Sequence, residues 1–253
     1  MREASEIYAL NNELPTSRFS NRPLYLQVRD AIAQRIATGE WKPHAAIPNE
    51  TDLAREFGVS PGTMRKALDL AETERLVTRR QGRGTFVNDQ SSEEYAARYS
   101  NIRSRDGKRV DGDVEVLGIY ETTVSEADGM RLRLRARERV HHIQRLWSAN
   151  GKPYMLEDVV LSAKLFPGLA GHDKASQRLA VLAQQFGVLL GRSDERITIN
   201  SAAPDVASTL QVEAGTTIMW LDRVIYTLQG VPAEWRLGQC LVEEGRYYMA
   251  QSS

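Results

Sequence analysis

A cluster of positive charge in this sequence surrounds a short glycine-containing stretch. The cluster comprises Arg79, Arg80, Gln81, Gly82 and Arg83. No acidic residue occurs between positions 76 and 88, although the whole chain carries 33 Lys and Arg against 33 Asp and Glu. Attraction to a polyanion must therefore come from local clusters rather than from net charge. Arginines on an exposed turn are suited to binding the phosphates of DNA.

A second cluster lies at the start of a predicted helix. Ser60 is typical of a residue that caps a helix N-terminus, and Pro61 is favoured at the first helical position. The outward-facing positions that follow are Gly62, Thr63, Arg65 and Lys66. The positive end of the helix and two cations would then point towards a duplex. The pattern predicts that this helix reads a groove of double-stranded DNA.

A third set of candidate residues lies in the C-terminal half, where predicted strands carry charge beside bulky side chains. These residues are Arg145, Trp147, Glu157, Glu234 and Arg236. Because side chains alternate along a strand, Arg145 and Trp147 share one strand face, and Glu234 and Arg236 share a face of a later strand. The segment around Arg145 recurs weakly around Arg223, which indicates two equivalent hairpins with a cleft between them. The cleft is a candidate small-molecule site.

The elements that would position the first two clusters form a helix-turn-helix followed by a wing. Apolar residues recur every four positions over 24–36, which predicts an amphipathic helix. Asn49 is expected to cap a second, short helix, and the helix capped by Ser60 follows directly. Alternating apolar residues on both sides of Gly82 predict a β-hairpin. Residues 23–88 are therefore expected to form a winged helix-turn-helix domain.

The rest of the chain is predicted to divide into a leader, a linker and a second domain. Residues 1–22 are polar with isolated apolar residues, which indicates a disordered leader. Residues 89–112 are rich in Ser, Glu, Arg, Asp and Gly and are expected to form an exposed linker. Residues 113–250 carry many strand patterns and few helical ones, which predicts a mainly antiparallel α/β domain. The chain as a whole is assigned to the α+β class.

Composition argues against a secreted, membrane-spanning or metal-binding protein. The single cysteine, Cys240, can form no internal disulfide, and no metal site can be built from cysteine pairs. No apolar run approaches the length that spans a bilayer, and the N-terminus lacks a signal-peptide pattern. The adjacent His141 and His142 would lie on opposite faces of a strand and could not share a metal. We expect a cytoplasmic protein with no cofactor, no metal and no catalytic constellation.

Residues 23–87 resemble the winged-helix domain of the GntR family of bacterial transcriptional regulators. The resemblance rests on the stretches Pro-Leu-Tyr-Leu-Gln-Val and Arg-Arg-Gln-Gly-Arg-Gly-Thr-Phe-Val. The operator contacts that it implies here are those of Thr63, Arg65 and Gly82. Thr51 and the pair Pro61 and Gly62 stand where the family commonly has arginines, so the preferred operator should differ. A bidentate arginine typically supplies about 1–3 kcal/mol of base discrimination. Because two such arginines are absent here, base recognition should depend more on Arg65 and the wing.

Residues 113–250 resemble the UTRA ligand-sensing domain of the HutC subfamily, whose fold is similar to chorismate lyase. The resemblance rests on Arg145-Leu-Trp, Gly151-Lys-Pro, Glu157 and Pro232-Ala-Glu234. It implies that Arg145, Glu157 and Glu234 line an effector pocket. Trp147 stands where sugar-phosphate sensors commonly have a second arginine, so we expect a polar metabolite with at most one carboxylate, or a ring stacked on Trp147. Glu157 and Glu234 would accept hydrogen bonds from ligand hydroxyl or amine groups.

Together these features predict a transcriptional repressor. A homodimer would bind a pseudopalindromic operator with one recognition helix in each half-site, and a small-molecule effector would release it, a direction that the resemblance implies. Two other functions stay open: an enzyme related to chorismate lyase with an appended DNA-binding domain, and a structural nucleic-acid-binding protein without an effector. At the residue level, Arg145 and Glu157 could instead form a cross-strand ion pair that fixes register, and Glu234 could be a solvated edge residue.

Overall fold

The chain divides into two units, one made of residues 1–92 with 184–189 and the other of residues 93–183 with 190–253. The computed structural model describes residues 22–92, 95, 99, 101–108, 110, 112–171, 174–241 and 246–249. Helices and antiparallel sheets occur together, so the predicted α+β class is confirmed. The predicted leader at 1–22 lies outside the described residues, apart from Arg22. No helix in the described ranges is long and apolar enough to cross a membrane.

The described part of the first unit contains three helices. They are α1 (Leu24–Ala37), α2 (Glu50–Glu56) and α3 (Pro61–Thr73). Both predicted caps are present: the side chain of Asn49 accepts from the backbone N–H of Asp52 at 2.9 Å. Ser60 Oγ accepts from the backbone N–H of Thr63 at 3.1 Å. Gly58 in the turn between α2 and α3 has φ +63°, a conformation that favours glycine. The helix-turn-helix is thus specified by signals within a few residues of each helix end.

A two-stranded hairpin follows α3 and confirms the predicted wing. Its strands are β1 (Val77–Arg80) and β2 (Gly84–Val87). Arg80 lies opposite Gly84 at the turn, and Gly82 within the turn has φ +68°. The backbone N–H of Ile47 donates to the carbonyl of Thr85 at 2.9 Å, which ties the segment before α2 to the wing. The apolar core of this unit includes Val28, Ile32, Leu53, Met64, Leu68 and Leu76, all at most 2% exposed.

The second unit is built around an antiparallel sheet. The strands of this unit are β3 (Ile102–Ser104), β4 (Asp113–Thr123), β5 (Arg139–Ala149), β6 (Lys152–Ser162), β7 (Leu190–Ser201), β8 (Thr217–Thr227), β9 (Pro232–Leu241) and β10 (Arg246–Tyr248). Its helices are α4 (Glu126–Leu132), α5 (Leu179–Gln185) and α6 (Pro204–Leu210), with a 3-10 turn at Leu169–Gly171. Six strands form the main sheet in the order β4-β5-β6-β9-β8-β7, so β4 and β7 are its edges.

The register of the main sheet brings charged residues from separate strands onto one face. Arg145 on β5 lies opposite Glu157 on β6, and Glu157 lies opposite Gly238 on β9. Two positions before Gly238, Arg236 lies opposite Arg223 on β8. Directly opposed residues, and residues two apart on a strand, share a face of the sheet. The other face packs against α4 and α6, which leaves the charged face for a binding site.

The segment predicted as an exposed linker, 89–112, contains buried residues and a strand. Within it, β3 pairs antiparallel with β10 from the end of the chain. Tyr95 and Tyr99 are 5% and 6% exposed. The hydroxyl of Tyr95 donates to the carbonyl of Leu190 at 2.8 Å, and that of Tyr99 donates to Gly191 at 2.8 Å. The partners are far away in sequence, so no local pattern in this segment indicates them.

Candidate nucleic-acid interface and ligand pocket

The N-terminal turn of α3 presents the polar residues that the sequence singled out. Gly62, Arg65 and Lys66 are exposed, while Thr63 is half-buried and its hydroxyl lies 2.9 Å from that of Ser60. The buried side of the same helix carries Met64, Ala67, Leu68 and Ala71. Amphipathic spacing therefore turns the polar residues outward, with the free amides of the helix N-terminus beside them.

Arg65 is held by an acidic residue from α2. Its Nε lies 3.0 Å, and its second terminal nitrogen 2.9 Å, from one carboxylate oxygen of Glu50. The hydrogen bond and the charge of Glu50 raise the pKa of Arg65. The Arg65 side chain is still 67% exposed, so it is oriented without being covered. Sequence reasoning missed this partner because Glu50 belongs to the preceding helix.

Lys66 and the wing arginines differ in how they are engaged. Arg79 forms ion pairs with Asp69 and Glu72, and its backbone N–H also donates to Glu72 at 2.8 Å. Lys66 lies 4.0 Å from the ring centroid of Tyr25, and Arg80 lies 4.9 Å from that of Phe86. The residues at the tip of the wing, Gln81, Gly82 and Arg83, are exposed. Acidic residues thus neutralise part of the basic face, and the tip of the wing keeps its charge outward.

A cavity opens on the charged face of the main sheet, within the second unit. It is lined by residues of five strands of the main sheet, of β3 and its neighbouring segments, and of the start of α5. These residues are Tyr99, Asn101, Ile102, Val110, Arg145, Trp147, Tyr154, Met155, Glu157, Arg178, Leu179, Ala180, Glu195, Leu221, Arg223, Arg236 and Gly238. Four of the five predicted effector residues are among them. The fifth, Glu234, does not line the cavity but contacts Arg236 from behind. At 1% exposure, Glu234 is not a solvated edge residue.

Arg236 is fixed between two buried carboxylates. One of its terminal nitrogens lies 2.9 Å from Glu157, and its Nε and other terminal nitrogen lie 3.0 Å and 2.9 Å from Glu234. Burial works against the charge of Arg236, but the two carboxylates outweigh it and raise its pKa. A buried ion triad of this kind forms a rigid part of the cavity wall.

Arg145 is buried without the partner that its register suggests. Its side chain is among the largest that are fully buried, at 1% exposure, and Nε and one terminal nitrogen have no hydrogen-bond partner among the described residues. Burial lowers the pKa of Arg145, and the nearby charge of Glu157 only partly offsets this. The alternative that Arg145 and Glu157 form an ion pair is wrong, because Glu157 is engaged by Arg236 and Trp147.

Trp147 donates its indole N–H to Glu157 at 2.6 Å. One oxygen of Glu157 therefore binds Trp147 and the other binds Arg236, which leaves the carboxylate satisfied within the protein. Each of these oxygens keeps a second acceptor site, so the expectation that Glu157 accepts from a ligand hydroxyl or amine stays a prediction. The guanidinium of Arg178 lies 5.9 Å from the Trp147 ring centroid, close to one face of the ring.

Arg223 belongs to the same cavity, although sequence reasoning used it only as the repeat of Arg145. It is 4% exposed, and burial lowers its pKa. Its closest carboxylate is Glu195 at 3.9 Å, and its Nε has no hydrogen-bond partner among the described residues. Glu195 also accepts from Asn101 at 2.9 Å and from the hydroxyl of Tyr248, whose pKa burial and Glu195 raise to about 12. The internal repeat was the signal that could have placed Arg223 in the site.

The cavity offers donors rather than a metal site. No group of three or more His, Cys, Asp or Glu that could hold a metal ion occurs among the residues that the structure describes. The arginines at positions 145 and 223 instead leave guanidinium nitrogens unbonded in a buried place. Buried donors of this kind are satisfied by a ligand or by water. The arrangement is suited to a ligand that carries a carboxylate or another strong acceptor.

Comparison with protein families finds two matches that together cover most of the chain. The profile described as "UTRA domain" matches residues 109–243, and the one described as "Bacterial regulatory proteins, gntR family" matches residues 24–87. The chain is 28% identical over 202 residues to a histidine utilization repressor of Pseudomonas putida, covering 79% of this chain and 81% of the relative. It is 29% identical over 178 residues to the mannosyl-D-glycerate transport/metabolism system repressor MngR of Escherichia coli K12, covering 70% of this chain and 74% of that protein.

Solved structures show the same fold. The chain is similar to PhnF from Mycobacterium smegmatis with a TM-score of 0.50 and 23% identity, covering 85% of this chain and 94% of that one. It is also similar to a GntR-family transcriptional regulator from Enterococcus faecalis V583 with a TM-score of 0.51 and 18% identity, covering 55% of this chain and all of that one. At these identities the likeness concerns the arrangement of elements and not the ligand.

Proposed function

We propose that this chain, which belongs to the UTRA domain family and carries a GntR-family DNA-binding domain, is a repressor that leaves its operator when an effector occupies the cavity of the second unit. It is a ligand-responsive DNA-binding regulator of transcription, in agreement with its named repressor relatives. Because those relatives and both domains are regulatory, the chain is not assigned the activity of an enzyme related to chorismate lyase.

The observation that carries the proposal is the buried guanidinium of Arg145 facing the cavity with unbonded nitrogens. A hydrogen bond to a charged group typically contributes about 1.5–3 kcal/mol, so an acceptor that reaches Arg145 gains binding free energy of that order. The effector is proposed to present a carboxylate or similar group to Arg145 and Arg223. Trp147, Glu157 and Arg236 would shape the remaining wall, with Glu234 holding Arg236 in place.

The proposed DNA contacts come from the start of α3 and from the wing. They are Ser60, Gly62, Thr63, Arg65, Lys66, Arg79, Arg80, Gln81, Gly82 and Arg83. Their support is the exposure of the outward side of α3, the cap at its N-terminus and the open tip of the wing. In this arrangement Arg65 reads bases and Arg83 contacts the backbone or the minor groove.

Two copies of the chain are proposed to bind a pseudopalindromic operator in the cytoplasm. The proposed organisation is a DNA-binding domain at 23–88 and an effector domain at 113–250, to which the intervening segment 89–112 contributes β3 and part of the cavity wall. A single recognition helix reads only a few base pairs, so a two-fold operator doubles the sequence that is read. An effector that favours the unbound state by about 1–3 kcal/mol would lower operator affinity by about 5- to 150-fold.

The DNA assignment is tested by fluorescence anisotropy with duplexes drawn from the region upstream of the chain's own gene. Arg65→Ala should weaken specific binding by about 5- to 150-fold and leave non-specific binding nearly unchanged, because base contacts supply about 1–3 kcal/mol of discrimination. Arg83→Ala should weaken both kinds of binding and lower the salt slope by about 1. Arg105→Ala, outside the proposed DNA-binding domain, is the matched control. Equal effects of the two test variants on both kinds of binding would contradict the assignment.

The effector assignment is tested by a thermal-shift screen of small carboxylates, amino acid degradation products and sugars. A compound that binds the cavity should raise the melting temperature of the wild type and weaken its operator binding. The same compound should leave Arg145→Met unaffected in both assays. A compound that stabilises both proteins equally binds elsewhere and would remove Arg145 from the effector site.

A further inference from the structure

The connection between α4 and β5 carries arginines at every second position. The series is Arg131, Arg133, Arg135, Arg137 and Arg139. The two outer arginines are paired: Arg131 contacts Asp222, and Nε of Arg139 lies 2.9 Å from Glu121. The three inner arginines are exposed, and the side chains of Arg135 and Arg137 have no hydrogen-bond or ion-pair partner among the described residues. Residues 133–138, here called the arginine loop, therefore keep three positive charges open to solvent.

The remaining residues of the arginine loop neither neutralise it nor add an apolar surface. Its one acidic residue, Glu138, accepts from the backbone N–H of Arg135, so this carboxylate is used to hold the turn. Leu134 is half-buried and packs against the apolar cluster that includes Leu132. Ala136 is the one other exposed residue of the loop. The loop thus exposes guanidinium groups and almost nothing else.

Two of these arginines occupy backbone conformations that favour glycine. Arg133 has φ +54° and Arg137 has φ +78°. A side chain is uncommon at such angles because its Cβ crowds the backbone, whereas glycine adopts them readily. Glycine would therefore form the same turn with less strain. Arginines kept at these two positions indicate a function of their side chains rather than of the turn.

The internal repeat supplies a second copy of the same loop for comparison. Residues 211–216 follow α6 as the arginine loop follows α4, at an offset of 211 − 133 = 78. Each loop contains the same hydrogen bond, from the backbone N–H of its sixth residue to the carbonyl of its third at 3.1 Å. In the second copy the first and fifth residues, Gln211 and Gly215, have φ +58° and +86°, close to the angles of their arginine counterparts. The same backbone thus forms from Gln-Val-Glu-Ala-Gly-Thr, so the fold does not require arginines here.

We propose that the arginine loop binds phosphates of DNA in addition to those that the winged helix-turn-helix contacts. This inference rests on the proposed function, which brings the chain to DNA. Arginine is suited to phosphate because its guanidinium presents several donors to the oxygens, and such contacts require no base recognition. The core of a protein–protein interface is instead depleted in charged residues and rich in aromatic ones. Because the loop exposes three arginines and one alanine, its surface fits a DNA backbone rather than a partner protein.

The salt dependence of DNA binding tests the proposal. The full chain with Arg133→Gln, Arg135→Gln and Arg137→Gly is compared with the wild type by fluorescence anisotropy on an operator duplex. Each phosphate contact contributes about 0.9 to the slope of log affinity against log salt concentration. Three lost contacts should lower that slope by about 2.7 for each bound chain. Between about 50 and 200 mM salt, the wild type should then lose about 40-fold more affinity per bound chain than the variant.

A matched control removes the same charge elsewhere on the second unit. It carries Arg105→Gln, Lys152→Gln and Arg196→Gln, at exposed positions outside the arginine loop. This control should keep the wild-type slope, because the proposed contacts are made by the loop alone. An equal fall of the slope in both triple variants would overturn the proposal, since the change would follow from net charge. A loop variant with the wild-type slope would also overturn it and would leave an acidic protein as the partner of the loop.

A single substitution keeps the test independent of folding. Arg137→Gly should lower the salt slope by about 0.9 for each bound chain. It should also keep or raise the melting temperature, because glycine relieves the strain at this position. A marked fall of the melting temperature would contradict the proposal, since the arginine would then serve the fold.

The choice of duplex separates this inference from the proposed function. The loop variant should lose affinity for the operator and for a scrambled duplex by the same factor, because the contact is to the backbone. If the wild type prefers its operator and the loop variant binds both duplexes as the wild type does, the loop contact is wrong while the regulator assignment stands. If the wild type shows no preference for the operator, the proposed function fails and the loop contact fails with it.

Discussion

Arg145 and Arg236 have the same side chain in opposite environments. Arg236 binds two carboxylates, whereas Arg145 is buried with unbonded nitrogens. Replacing a buried charge that no carboxylate neutralises at close range by an apolar side chain of similar length removes a desolvation cost. We predict that Arg145→Met raises the free energy of unfolding by about 1–3 kcal/mol, measured by urea denaturation, while it abolishes the effector response.

The matched variant Arg236→Met should have the opposite effect on stability. It leaves Glu157 with one partner fewer and removes the ion-pair partner of Glu234, and breaking a buried ion network from one side costs about 3–5 kcal/mol. A loss of stability in Arg145→Met comparable to that in Arg236→Met would contradict the view that Arg145 is kept for binding at the expense of stability.

Glu50 makes a second prediction at the residue scale. It orients Arg65 and also places a negative charge on the face proposed to meet DNA. We expect Glu50→Gln to strengthen non-specific DNA binding, because a repulsive charge is removed, and to lower the ratio of specific to non-specific affinity, because Arg65 loses its orientation. Anisotropy titrations at several salt concentrations measure the non-specific affinity and the ratio of specific to non-specific affinity. An unchanged ratio of specific to non-specific affinity in Glu50→Gln would exclude the orienting role.

At the scale of elements, α4 provides a pH-dependent test. The backbone N–H of Asp128 donates to Ser125 Oγ at 3.2 Å, and the Asp128 carboxylate accepts from Ser125 N–H at 2.9 Å. Burial opposes the charge of Asp128, but the bonds from Ser125 and the nearby His142 outweigh it and lower its pKa. Because the pKa of Asp128 is lower in the folded state than in the unfolded state, its charge stabilises the fold fully at pH values above the unfolded-state pKa of about 4. This stabilisation is lost as the pH falls through the lower folded-state pKa.

We therefore predict that stability declines below about pH 4 partly through this cap, and that Asp128→Asn flattens that decline. The variant should also cost about 1 kcal/mol near neutral pH, where the charged cap contributes fully. Thermal melts between pH 3 and 7 measure both effects. Glu126→Gln in the same helical turn removes a carboxylate that makes no cap contact, so a similar flattening in that control would refute the role of Asp128.

The elements predicted correctly from the sequence are those specified by neighbouring residues. Asn49 and Ser60 cap helices that begin one position later, and Gly82 lies within the turn of a short hairpin. Features that depend on pairing between distant segments were missed. The strand β3 needs β10 from the other end of the chain, and Arg223 enters the cavity only through the register of β8 and β9. Strand alternation gives the face of a side chain but not which strands are neighbours.

At the scale of the whole molecule, the net charge of zero has a consequence for DNA binding. Equal numbers of acidic and basic residues provide no general attraction to a polyanion, so DNA binding must come from local contacts. In the proposed dimer these contacts are made by two correctly spaced copies. The paired acids on the α3 face lower non-specific affinity further. Affinity should thus depend strongly on the geometry of the two half-sites.

Half-site spacing makes the last prediction. Inserting five base pairs between the half-sites turns one of them to the opposite side of the duplex, since B-DNA repeats in about 10–10.5 base pairs. The proposed dimer can then engage only one half-site, so its affinity should fall to that of a duplex with one half-site scrambled. If the insertion has no effect on the wild type, the two copies bind independently and two-fold recognition is excluded.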